Sequence, residues 1–143
     1  MSKIFVLGYN KTGTKSLAKA LEILGYKTTH TKGGGECSVQ MYDNHLILRL
    51  SMTTNPFPHP KALKDMKKSY MYTDDAAKIT LKLLDETGII NVGGEPQFVY
   101  EFVKKENPDI GFNYLSEISD VNMATDCSMN TTKLKKVIND TII

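Results

Sequence analysis

An unbroken apolar run, Ile4-Phe5-Val6-Leu7, leads into a polar stretch bracketed by Gly8 and Gly13, and then into Leu17, Ala20, Leu21 and Leu24. The apolar run suits a strand covered on both faces, as in a parallel sheet. The later residues recur at helical spacing, and Gly25 stands where a glycine closes a helix. A strand, a loop and a helix in this order commit the chain to an α/β fold, because a doubly covered strand needs strands beside it and helices over it. The strand is expected inside its sheet, since an edge of this composition would template aggregation.

The remaining chain continues the alternation. Asp43-Asn44 reads as a turn, and Leu46 to Leu50 as the second strand, with Arg49 inside it. Three prolines between positions 55 and 60 make that stretch a loop. Thr73 is expected to cap a helix with Asp74 and Asp75 in its first turn, an apolar face of Ala76, Ile79, Leu83 and Leu84, and Gly88 at its close. Ile89-Ile90-Asn91-Val92 reads as a third strand, followed by Gly93-Gly94. Pro96 opens a helix facing inward with Val99, Phe102 and Val103, and Asn107-Pro108-Asp109 ends it. Asn130 caps a last helix carrying Leu134, Val137 and Ile138. The expected architecture is α/β, a small parallel or mixed sheet with flanking helices, partly Rossmann-like, in one compact domain.

Composition narrows the function classes. With 41% hydrophobic and 24% charged residues, the 143-residue chain has the make-up of an ordinary globular domain with a real core. A net charge of +2 argues against nucleic acid or a membrane surface as partner, so any basic function is local. The two cysteines, Cys37 and Cys127, form no CxxC pair, and His30, His45 and His59 have no ligand spacing, so no metal site is expected. Two reduced thiols, and no leader or membrane span in the short apolar run after Met1, read as a cytoplasmic protein.

The stretch Gly8-Tyr9-Asn10-Lys11-Thr12-Gly13-Thr14-Lys15-Ser16 has the parts of an anion site. Backbone N–H groups at a helix start point at a ligand, and glycine lets the backbone approach it. Lys11 and Lys15 add charge, and Thr12, Thr14 and Ser16 add hydroxyl donors. Thr14 separates the second glycine from the lysine, so it is not a Walker A loop, nor does it read GxGxxG. The plain structural alternative is a tight turn with solvated lysines.

Lys11-Thr12-Gly13-Thr14-Lys15-Ser16-Leu17 resembles the 5′-phosphosulfate loop of sulfotransferases, usually Pro-Lys-Thr-Gly-Thr-Thr-Ser-Leu, with Asn10 replacing proline and Lys15 replacing threonine. The likeness spans residues 3 to about 30. It implies a phosphorylated cofactor, 3′-phosphoadenosine 5′-phosphosulfate. Lys11 would face the leaving phosphate, and Thr12, Gly13, Thr14 and Ser16 would cradle the 5′-phosphate.

Residues 32–143 carry a second resemblance, to the C-terminal part of extended short-chain dehydrogenase/reductases acting on nucleotide sugars. Thr31-Lys32 with Gly35-Glu36 resembles the helix bearing Tyr-x-x-x-Lys, and Leu46 to Ser51 the strand after it. Tyr72-Thr73-Asp74-Asp75-Ala76-Ala77 resembles a late helix start, Gly88 to Gly94 the strand read as Gly-x-Tyr-Asn-Val-Gly, and Ser128 to Leu134 the closing Leu-Asp-x-x-Lys-Leu. The nearest relatives implied are NAD-dependent epimerase/dehydratases and dTDP-4-dehydrorhamnose reductase-like proteins. The resemblance implies NAD(P), with its binding domain largely missing, a nucleotide sugar as ligand, and Lys32 as the catalytic lysine. Thr28 occupies the tyrosine position, and a threonine hydroxyl is far less acidic than a phenol.

The junction between the two resemblances falls near His30: residues 1–30 as a phosphate-binding unit, residues 31–143 as a reductase substrate-side region. Arg49 is a candidate for binding a sugar-nucleotide phosphate, or equally a strand residue facing solvent, and Asn55 is a candidate for substrate binding or a turn residue before Pro56. Lys61, Lys64, Lys67 and Lys68 read as the solvated face of a helical stretch. A face exposed by the missing sheet favours self-association as a homodimer. Three functions follow: a truncated or chimeric nucleotide-sugar reductase/epimerase-like protein, weak or inactive alone; alternatively a phosphosulfate-binding sulfotransferase-like protein; or a noncatalytic binding or assembly module.

Overall fold

The computed structural model describes residues 3–8, 19, 21–23, 25, 28–31, 39–41, 43–118 and 123–140. Its centre is a four-stranded sheet built from β1 (Lys3–Gly8), β2 (Thr28–Thr31), β3 (His45–Leu50) and β8 (Gly88–Val92), in the order β2-β1-β3-β8. All three pairings are parallel. β1 runs inside, with Ile4 opposite Thr28 on one side and Leu46 on the other. The apolar opening run is thus paired on both edges, which removes the aggregation hazard of so hydrophobic a strand.

Side chains of β3 sort the two faces. Leu46, Leu48 and Leu50 join Leu21, Leu83, Ile90, Val92 and Leu134 in the main core cluster. Ile47 packs on the opposite face with Val39 and Ile89. This near-continuous burial is what a strand covered on both sides requires. Each fully buried leucine contributes roughly 1.5–3 kcal/mol of transfer free energy.

Helix α1 (Thr73–Lys82) lays Ala76 and Thr80, one helical turn apart, against the core, with Ile79 partly buried beside them. Asp74 and Asp75 lie in its first turn and Lys82 in its last, each favourable to the helix dipole. Thr73 is the first helical residue; Tyr72 is the N-cap and supplies no side-chain cap. The helix stops before Gly88, which has φ +81° and turns the chain into β8.

Short strands carry the chain between and beyond these elements: β4 (Met52–Thr53), β5 (Lys61–Leu63), β6 (Lys67–Lys68), β7 (Met71–Tyr72), β9 (Gln97–Phe98), β10 (Gly111–Asn113) and β11 (Asp126–Cys127). They pair as β10-β5, β11-β6-β9 and β4-β7, with β6-β9 antiparallel. Lys61, Lys67 and Lys68 therefore lie in strands instead of on a helix, and the ammonium groups of Lys67 and Lys68 stand over aromatic rings. Lys67 Nζ stands 5.5 Å from the Phe98 ring centre, and Lys68 Nζ 5.1 Å from that of Tyr70. Helix α2 (Val99–Lys104) starts after Phe98, with Pro96 outside it, and α3 (Leu115–Ile118) is a single turn. A second apolar cluster, Ala62, Met66, Val99, Val103, Ile110 and Leu115, fills the space between them. The last helix, α4 (Thr132–Asp140), is capped as its sequence reads: Asn130 Oδ1 accepts from the Thr132 N–H at 3.0 Å, and Leu134 reaches the main core. The expected α/β architecture, with small parallel and mixed sheets flanked by helices, is the one found.

Candidate functional site

In the order β2-β1-β3-β8, the neighbours that follow β1 in sequence lie on opposite sides of it. Open parallel sheets bind ligands outside their carboxyl ends at such a reversal. The reversal here lies between β1 and β3, at the edge marked by Gly8 and its register partner Leu50. In sequence, Gly8 is followed by the stretch beginning at Tyr9.

Ser51 is the first residue beyond Leu50. Its N–H donates to Val92 O at 2.9 Å, and its carbonyl accepts from the Met71 N–H at 3.2 Å, so one residue ties β3 to both β8 and β7. Gly93 sits beside it beyond β8. A Cβ at Gly93 would lie 2.6 Å from Ser69 O and 3.4 Å from Ser51 Cβ, and one at Gly94 would lie 2.4 Å from Tyr70 O. Both glycines are demanded by the close passage of residues 69–70 across the end of β8. Ser69 is fully buried: its carbonyl accepts from the Gly94 N–H at 2.9 Å, and its Oγ accepts from the Met129 N–H at 3.0 Å. The edge is therefore a rim tied together by backbone hydrogen bonds.

Lys11, Thr12, Gly13, Thr14, Lys15, Ser16 and Lys32 lie outside the described residues. Thr28–Thr31, the stretch read as part of a Tyr-x-x-x-Lys helix, forms β2. In such a helix a lysine four residues on from Thr28 would lie about one turn, roughly 6 Å, along the axis, whereas the same four residues span about 13 Å along a strand. Arg49 is exposed in β3, one residue before the carboxyl edge, opposite Leu7 of β1 and Asn91 of β8. Its neighbours Leu48 and Leu50 face the main core, so Arg49 belongs to the other face, that of Ile47. Asn55 is exposed in the loop after β4, and its peptide bond to Pro56 is cis.

Asn55 lines a cavity of about 200 Å³ together with Pro56, Phe57, Tyr72, Val103, Glu106 and Asn107. Sequence reading singled out Asn55 and not the other polar members, because the wall is assembled from three separated segments that share no spacing. Partial burial, and secondarily the Glu106 carboxylate, push the Tyr72 phenol above its ordinary pKa of 10.0. Among the described residues there is no group of three or more His, Cys, Asp or Glu able to hold a metal ion. Nor, among them, is any helix long and apolar enough to cross a membrane.

These features define an α/β protein with a parallel sheet whose switch point lies at the carboxyl end of β1, the strand that precedes the lysine-bearing stretch in sequence. The chain belongs to the sulfotransferase domain family, which it matches over residues 3–83, more than half of its 143 residues. The match runs through residue 30, where the sequence reading places a junction, and takes in β2, β3 and α1. It supports no reductase or epimerase portion. No curated protein and no solved structure matches the chain.

Proposed function

We propose that the chain binds 3′-phosphoadenosine 5′-phosphosulfate, or the adenosine 3′,5′-bisphosphate left after transfer, at the carboxyl edge between β1 and β3, and that this site serves sulfuryl transfer. The observation that carries the reading is the place of β1: an interior strand of the matched family segment, whose carboxyl end opens at the switch point. The Lys11-Thr12-Gly13-Thr14-Lys15-Ser16 stretch follows directly and has donors and charge for a phosphate.

In this reading Thr12, Gly13, Thr14 and Ser16 hold the 5′-phosphate, with Lys15 adding charge. In the transfer, an acceptor lone pair attacks sulfur and the bond from sulfur to the bridging phosphate oxygen breaks. The electron pair leaves with the 5′-phosphate, and the acceptor releases its proton. Lys11 is the group that would meet the charge developing on the departing oxygen. Arg49, near the same edge, would take a second phosphate.

The test is a thermal melt of the full chain with adenosine 3′,5′-bisphosphate. At about 100 times its Kd a ligand specific for the native state adds about 2.7 kcal/mol, several degrees in Tm. Lys11→Ala should remove that shift while leaving the unliganded Tm within a degree or two. An absent shift in the wild type, or an undiminished one in Lys11→Ala, refutes the assignment.

A further inference from the structure

The cavity beside Tyr72 carries a carboxylate where the stretch that follows β1 in sequence carries lysines. Among the described residues that line it there is no lysine or arginine, and one carboxylate, Glu106, stands on its rim. The lysines next to Glu106 in sequence are engaged elsewhere. Lys105 Nζ donates to Gln97 Oε1 at 2.6 Å, and Lys104 Nζ lies 5.3 Å from the Tyr100 ring centre. Glu106 takes part in no ion pair among the described residues. Its N–H donates to Val103 O at 3.1 Å, as does that of Asn107 at 3.0 Å, which fixes both residues at the end of α2.

The rest of the wall is aromatic and amide. Tyr72 is braced against Phe102, with ring centres 4.9 Å apart, and Phe57 against His59 at 5.5 Å. Thr54 Oγ1 donates to Pro56 O at 3.0 Å, holding the Asn55 turn. A carboxylate, two aromatic rings and two side-chain amides around a space too small for a nucleotide fit a compact organic cation. An anion would meet the Glu106 carboxylate, and a wholly apolar ligand would make no use of it. The upward shift of the Tyr72 phenol, to which the Glu106 carboxylate contributes, agrees with a negative potential in this space.

We propose that this cavity is a binding site for a small primary ammonium compound, its cation held by Glu106 between the Tyr72 and Phe57 rings. The site does not depend on the phosphosulfate reading.

Benzylamine is the probe, with benzyl alcohol as its neutral counterpart, titrated into the full chain and followed by the amide resonances of Val103, Glu106 and Asn107. Benzylamine should shift these resonances in a saturable way and bind at least about tenfold more tightly than the alcohol. Glu106→Gln, an exposed and nearly isosteric change, should weaken benzylamine about tenfold or more and leave the alcohol unaffected, with an unchanged melt as proof of folding. Tyr72→Phe keeps the ring and should retain most of the binding. The proposal is overturned if benzylamine fails to bind at tens of millimolar. Equal binding of the alcohol, or wild-type affinity in Glu106→Gln, overturns it as well.

Discussion

Gly93→Ala should be among the most damaging single-methyl additions in this protein. The added Cβ would stand 2.6 Å from Ser69 O, a backbone atom that cannot swing aside as a side-chain end can. Relief requires several tenths of an ångström of separation between residues 69 and 93. That movement stretches the 2.9 Å bond from the Gly94 N–H to the same oxygen, and it pulls on Ser69 Oγ, the acceptor for Met129. One weakened buried hydrogen bond costs about 1 kcal/mol, and overpacking a close contact about 1–3 kcal/mol. The expected loss is about 2–4 kcal/mol, or roughly 6–14 °C in Tm for a chain of this size. Urea and thermal melts followed by circular dichroism would measure it. Gly25→Ala is the control: Gly25 has φ +87° but nothing within 4 Å of its added Cβ, so only the backbone preference is lost, about 1–2 kcal/mol. A Gly93→Ala protein within about 0.5 kcal/mol of wild type, or more stable than Gly25→Ala, would refute the argument that close passage demands this glycine.

Leu48→Ala, at a fully buried position on the main-core face of β3, should cost about 2–5 kcal/mol in a chemical melt, whereas Leu81→Ala on the exposed side of α1 should stay within about 0.5 kcal/mol. Hydrogen bonds from the Ser128 side chain and backbone N–H hold the Asp126 carboxyl below its ordinary pKa of 3.8. Its contribution is therefore present above the unfolded value and lost as the pH falls through the lower folded one. Ser128→Ala should raise the Asp126 carboxyl titration followed by NMR and flatten that part of the acid dependence; an unmoved titration would show that the hydroxyl is not the cause.

The sequence was most legible where burial alone decides the outcome. The three strands of the main sheet that carry long apolar runs, the α1 residues Ala76 and Ile79, and the cap at Asn130 all stand where their residues put them, while Leu83 and Leu84 reach the same core from the C-cap and turn that follow α1. Legibility failed where pairing decides. Thr28–Thr31 has only polar residues and becomes β2 because β1 lies beside it to bond with, a fact absent from local spacing. Lys67 and Lys68 are drawn into β6 by its ladders with β9 and β11, and their ammonium groups stand over the Phe98 and Tyr70 rings. Pro96 suggested a helix start, but Gln97 and Phe98 are taken by the same ladder, and α2 begins only at Val99. For the candidate site, the polar stretch after Gly8 and Asn55 were visible as residue types. Tyr72, Glu106 and Asn107 were not, because a cavity wall assembled from three segments leaves no periodic trace.

The reductase-like pattern from Gly88 to Gly94 has a local physical origin. It is a parallel strand entered by a glycine at φ +81° and left through two glycines. The first glycine turns the chain out of the loop after α1, and the last two make room for Ser69 O and Tyr70 O. Any parallel strand crossed closely at its carboxyl end by another segment would need the same punctuation, whatever its family. The packing agrees. Leu84, Ile90, Val92 and Leu134, all beyond the matched residues 3–83, complete the cluster begun by Leu21, Leu46, Leu48, Leu50, Ala76 and Leu83. In the same way β8 pairs in register with β3 from Leu46 to Leu50 and completes the sheet to which β1 belongs.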